Sequence, residues 1–235
     1  MKPFLLILLS ILLLVAWCAP LLADDPPPAE PTIAIVSKVV ADVTKKEQRS
    51  KDWQKTKIGE TLGSGDRVRT GDRSIAIIKF KDNSLVRVRQ KSELTVTGKM
   101  KGDTFSKAVN IDVGGIGFNI EKQRPEEEFR FTSPTSVASI RGTGGQYIHD
   151  IADTLTILTG LASLLGTRLS KSTDVGAGFT GIVNPDGSVF SRPATEAEKR
   201  AAAEAMKTGD QPMKLEFDLR DGQGKSKGLR IDFKQ

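Results

Sequence analysis

IGETLGSGDRVRTG, from Ile58 to Gly71, followed by SIAIIKFKDNSLVRV, from Ser74 to Val88, is the stretch whose reading decides the fold. Short β-branched runs alternate with polar residues and are punctuated by glycine. Val68 stands between Arg67 and Arg69, and Ser74 to Phe80 is rich in isoleucine. Asp82-Asn83 is a turn signal that predicts a hairpin back through Leu85, Val86 and Val88. The same period of two recurs downstream at Leu94/Val96, Val109/Ile111/Val113, Ile116/Phe118/Ile120, Phe129/Phe131, Val137 with Ile140, and Leu155/Ile157. Alternation over short runs places one face in a core and the other in water. Many such strands with glycine turns predict an all-β fold of twisted, layered strands, a sandwich or solenoid-like domain. No strict repeat length is visible, so a regular β-helix is not indicated.

Upstream, Thr32 to Val43 predicts a first strand whose Ile33/Ile35 and Val39/Val43 alternate, and Lys45 to Lys57 is a charged connection, loop or short helix. Downstream the character changes. Thr195 with Glu198 fits a capping box, and Ala194 to Lys207 is built of good helix formers ended by Gly209. Ala197, Ala201, Ala205 and Met206 form only a thin apolar stripe, which predicts a weakly packed surface helix. Leu215/Phe217/Leu219 and Leu229/Ile231/Phe233 then alternate as a hairpin. The expected organisation is a leader over 1–23, a proline-rich linker over 24–31, a β domain over 32–191, and a helix plus hairpin over 192–235.

The leader is read from Met1-Lys2, the apolar run Phe4 to Leu22, Pro20 near its end, and Ala23 before Asp24. That order predicts a secretory signal peptide cleaved after Ala23, hence a periplasmic or secreted protein. An uncleaved anchor is the rival, because the run nears the ~20 residues a spanning helix needs; membrane contact is expected only through it. A lipid on Cys18 is disfavoured by the bulky Trp17 before it. Loss of the leader leaves 212 residues with a net charge of +5 and no cysteine, so the mature chain has no thiol or disulfide chemistry.

Chemical motifs are few. His149 is the only histidine, with Asp150, Asp153, Ser136 and Ser139 near it in sequence, but no linear motif supplies triad geometry. Gly176 to Gly181 matches GxGxxG, yet strand and turn residues follow where the dinucleotide fingerprint needs a helix. Gly224-Lys225-Ser226 lacks the upstream glycine of a P-loop. No cluster has metal-ligand spacing, and no catalytic residue, metal or cofactor is expected. Gly114-Gly115-Ile116-Gly117 and Gly142-Thr143-Gly144-Gly145 predict bends or bulges rather than a ligand surface, with Thr143 bonding to local backbone.

One constellation is sharper. Arg67, Arg69, Lys79, Lys81, Arg87 and Arg89 flank Val68, Phe80 and Val88. With those three inward, the six cations are expected on the outward side of neighbouring strands. Such a face attracts a polyanion or an acidic protein surface, or simply keeps edges solvated. Nucleic acid is not expected for an exported chain with one tyrosine and few aromatics.

The Ile58–Asp186 stretch resembles a FecR-type domain, the extracytoplasmic module of bacterial envelope-signalling regulators. The residues that carry the resemblance are Gly59, Leu62, Gly65, Asp66, Val68, Thr70, Gly71 and Asp82-Asn83-Ser84. They continue with Phe129, Phe131, Ser133-Pro134, Val137, Arg141-Gly142-Thr143, Asp153 to Gly160, and Val175 to Gly187. The resemblance implies an all-β fold outside the cytoplasm. In its best-known members a cytoplasmic segment that holds a sigma factor and a membrane helix precede the domain. Only Met1 to Pro3 precede the apolar run here, so a stand-alone exported form without the anti-sigma segment is expected. The expected function is non-enzymatic recognition of another envelope protein, in signalling. The alternative is structural binding of a polyanionic envelope polymer, cell wall or lipopolysaccharide, through the six cations.

Overall fold

The structure, a computed structural model, describes residues 32–101, 104–125, 127–207, 213–220 and 226–233; of residues 100–105 and 213–233 only backbone is described. It is mostly strand. In chain order these are β1 (Ala34–Val40), β2 (Val43–Lys46), β3 (Gln54–Lys55), β4 (Thr61–Leu62), β5 (Arg67–Thr70), β6 (Ile75–Phe80), β7 (Leu85–Val88), β8 (Glu93–Lys101), β9 (Thr104–Ile120) and β10 (Glu127–Thr132). There follow β11 (Ser136–His149), β12 (Asp153–Gly166), β13 (Lys171–Gly176), β14 (Phe179–Val183), β15 (Val189–Pro193), helix α1 (Glu196–Met206), β16 (Met213–Arg220) and β17 (Ser226–Phe233). The first fifteen strands form one open mixed sheet; β16 and β17 pair as the separate hairpin that their alternation predicts, Phe217 opposite Leu229. Among the described residues no helix is long and apolar enough to cross a membrane.

The sheet folds over itself because three strands are long enough to serve two layers. The first half of β9 pairs with β8 and β10; its second half pairs with β7 and β11. β11 pairs with β10 before Gly142 and with β9 after it, and the register of β11 against β12 shifts there. Strands that change layer at bulges make the corners of a sandwich. One inner row runs Val96, Val109, Phe131, Ala138, Leu164 across β8, β9, β10, β11 and β12. The facing row runs Val36, Ile78, Val86, Phe118 across β1, β6, β7 and β9. All nine side chains are buried. The layers meet ring on ring: Phe131 lies 4.6 Å from Phe118 and 5.5 Å from Phe129, and Phe129 lies 4.9 Å from Phe80, edge to face.

Several expectations are corrected. The first strand breaks at Ala41, whose φ is 59°, because the chain passes there from one layer to the other: β1 pairs with β6, and β2 with β5. Ala34 and Val36 point inward and Ile35 is exposed, the reverse of the expected alternation. The Lys45–Lys57 connection is neither plain loop nor helix but carries the ends of β2 and β3, paired Lys45 to Gln54. Val109 to Ile120 is one strand, not two. The Asp82-Asn83 hairpin stands as predicted: Asn83 takes a φ of 66°, and Asp82 Oδ1 accepts from the Ser84 N–H at 3.0 Å.

Helix α1 starts at the predicted capping box, with the Thr195 hydroxyl accepting from the Glu198 N–H and the Glu198 carboxylate accepting from the Thr195 N–H at 2.8 Å. Its buried residues are Ala202 and Ala205, while Ala197 and Ala201 face outward. Gly209 lies outside the described residues. The helix seats on the glycine clusters. A Cβ on Gly117 would stand 1.9 Å from the Ala205 carbonyl oxygen, so only a bare backbone lets α1 approach β9 this closely. Gly117→Ala is therefore expected to destabilise the domain by about 1–3 kcal/mol and to raise amide exchange over 196–206. Gly176→Ala, where a Cβ meets only Leu161 at 4.0 Å, is expected to stay within about 0.5 kcal/mol in the same denaturant titration.

Candidate functional site

Six residues directly opposite one another across β7, β9, β11, β12, β14 and β15 form one ladder: Arg87, Gly117, Gln146, Thr156, Thr180 and Arg192. Opposed residues share a face, and Gly117 shows that this face carries α1. The ladder grips the helix at both ends. Arg192 forks onto Glu198, Nη1 to Oε2 at 2.9 Å and Nη2 to Oε1 at 2.7 Å. At the far end Arg87 Nη1 donates to the carbonyl of Glu204 at 2.9 Å and to that of Lys207. The last turn of α1 has no basic residue of its own, so Arg87 supplies the cation that its unsatisfied carbonyls favour. Between the grips, Thr156 and Thr180 hydroxyls bond at 3.1 Å, and buried Gln146 has an unpaired Nε2.

The six sequence-predicted cations point outward, with Val68, Phe80 and Val88 buried beneath them. They do not share a face. β5 pairs with β2 and β8, in the layer opposite β6 and β7. Arg67 and Arg69 converge on Glu93, Arg67 also reaches Asp112 at 2.8 Å, and the Arg69 guanidinium stacks 4.0 Å above Trp53. Arg87 holds the helix. The side chains of Lys79, Lys81 and Arg89 have no ion-pair or hydrogen-bond partner among the described residues, and Lys79 and Lys81 are exposed.

Two polar clusters were not foreseen. Lys107 sits on an inward row opposite Phe129, and its buried amine reaches Asp82 Oδ2 at 2.6 Å across the layers. Burial works against the Asp82 charge, but hydrogen bonds from Lys107, Gln123 and the Ser84 N–H prevail and hold its pKa below the ordinary value. The second cluster centres on Asp153, fully buried at the start of β12. Its Oδ2 accepts from Ser133 at 2.6 Å and Thr135 at 2.5 Å, and its Oδ1 meets His149 Nδ1 at 2.6 Å. His149 and Asp153 thus meet, and both hydroxyls donate to the carboxylate rather than bonding to the ring. Ser136 bonds instead to the Tyr147 hydroxyl at 2.7 Å, and burial raises that phenol's pKa. Among the described residues no group of His, Cys, Asp and Glu is placed to hold a metal ion.

The motif residues are structural in their contacts. Gly65 takes a φ of 89° and donates to the Val96 carbonyl, while Asp66 accepts from the N–H groups of Gly63 and Gln48 at 2.9 and 3.0 Å. Gly71 donates to the Asp42 carbonyl. Arg141 and Gly142 stand at the β11 bulge, where the Thr143 hydroxyl donates to the carbonyls of Arg141 and Leu161. The GxGxxG match is the β13–β14 turn.

Residues 66–163 match the family described as FecR protein. That stretch is similar to a FecR domain. The chain is similar to two crystal structures, each of a candidate anti-sigma factor from Parabacteroides distasonis. One aligns with a TM-score of 0.50 at 12% identity over 67% of this chain and 70% of the other. The second gives 0.49 at 11% over 66% and 68%. No curated protein matches the chain. The FecR match falls inside the 58–186 stretch singled out by sequence and spans β5 to most of β12, the part that builds both layers.

The Arg192 grip is expected to be acid-labile. Its hydrogen bonds to Glu198, against a smaller cost of burial, depress the Glu198 pKa from 4.5 to about 2. A depressed carboxyl stabilises the fold above its unfolded pKa and loses that contribution as pH falls through its folded one. Amide exchange at the N-terminal turn of α1 should therefore rise between about pH 4.5 and 2, and Glu198→Gln should flatten that rise. Asp153→Ala removes the buried acceptor shared by two half-buried hydroxyls and a half-buried histidine and is expected to cost about 1–3 kcal/mol in chemical denaturation.

Proposed function

We propose that this chain is an exported, non-enzymatic FecR-type module of the cell envelope that recognises another protein there as part of signalling. The observation that carries the reading is the FecR match over 66–163. Similarity to a candidate anti-sigma factor agrees with a regulatory task. The polar geometry agrees as well: the Ser133 and Thr135 hydroxyls and His149 are bonded to Asp153, and Ser136 to Tyr147, instead of converging on an open reaction centre. Export rests on the Met1–Ala23 leader pattern, and a protein partner accords with an open sheet whose ends, β4 and β15, are edge strands able to accept a further strand.

Crosslinking the full chain in its native envelope, with N-terminal sequencing of the recovered product, tests both halves. One discrete protein partner and a mature start at Asp24 are expected. Recovery of the uncleaved chain from the cytosol, or capture of polymer alone in a salt-sensitive manner, overturns the reading.

A further inference from the structure

A cavity of about 290 Å³ opens between β7 and the C-terminal half of α1. Three arginines line it: Arg73 from the turn before β6, Arg87 on β7, and Arg89 directly after that strand. Alternate strand residues project to one side, so the last two lie side by side. The Arg73 backbone N–H is tied to Gln90 Oε1 at 3.0 Å, which fixes the turn, but its guanidinium has no partner among the described residues; neither has that of Arg89. The one carboxylate at the rim, Glu204, is already paired with Lys207 at 2.6 Å. Burial and then the neighbouring Arg89 charge lower the pKa of Arg87, and the opposing pull of Glu204 does not offset them. Opposite them the wall is apolar, formed by Ile75, Ala201 and Ala205.

We propose that this cavity is a binding site for a small phosphate-bearing molecule. Guanidinium forks suit the several oxygens of a phosphate, and three arginines lining one cavity exceed what one carboxylate with two oxygens can satisfy. The space is near the lower end of small-ligand pockets, about 300 Å³, and exceeds the need of a bare phosphate, so the apolar wall is left to receive a short carbon skeleton. Arg87 links the site to the helix: the group that would meet the ligand is the one that holds the Glu204 and Lys207 carbonyls. The site is separate from the partner recognition proposed above and stands or falls without it.

Calorimetric titration of the full chain with glycerol 3-phosphate, inorganic phosphate and acetate at low ionic strength tests the proposal. Saturable one-to-one binding is expected for glycerol 3-phosphate, weaker binding for phosphate, and none for acetate. Arg89→Gln and Arg73→Gln, which break no described side-chain bond, should each weaken glycerol 3-phosphate by about tenfold or more with an unchanged melting temperature. Lys79→Gln/Lys81→Gln, which removes exposed cations outside the cavity, should leave the affinity as it was. Absence of saturable binding, equal binding of acetate, undiminished affinity in Arg89→Gln, or an equal loss in the Lys79/Lys81 variant each overturns it.

Discussion

The contact of Phe131 with Phe118, Phe129 and Tyr147 is where the two layers become one core. Phe129 and Phe131 stand on β10, which lies parallel to the first half of β9, whereas Phe118 and Tyr147 stand on the second halves of β9 and β11. The rings can meet only if the long strands turn from one layer into the other. Bulges and glycines at the bends follow from that demand, as does pairing of the Tyr147 hydroxyl with Ser136, since a buried phenol needs a partner.

The outer surface of one layer then has a different duty. Helix α1 has too little apolar surface to hold itself by burial alone, and it is fixed by polar groups at its two ends and by close backbone approach in the middle. Lys107 shows the complementary case on the inside. A cation on an inward row is tolerated because Asp82, from the opposite layer's hairpin, reaches it. Such a pair adds little net stability over apolar residues of the same shape, but losing either partner is costly.

Features fixed by neighbours in sequence were legible. The Asp82-Asn83 turn, the Thr195–Glu198 box and inward Phe129/Phe131 each depend on a few adjacent residues, and each is where the sequence places it. What depends on long-range register was not. Arg67 and Arg69 alternate with Val68 just as Arg87 and Arg89 flank Val88, and nothing local says that β5 and β7 occupy opposite layers. Ile35 outranks Ala34 in hydrophobicity, yet pairing with β6 turns Ala34 and Val36 inward. Of the cavity's cations the alternation marked Arg87 and Arg89; Arg73 escaped because it lies in a turn, where period-two reasoning has no purchase.

Shared long strands also bind the fate of the two layers. Neither can open alone, because melting either half of β9 or β11 withdraws support from the other. The region over β5 to β12 should accordingly come apart in one all-or-none step, without a half-folded species exposed to proteases. Durability of this kind comes from strand sharing rather than from crosslinks, since residues 24–235 contain no cysteine to make them.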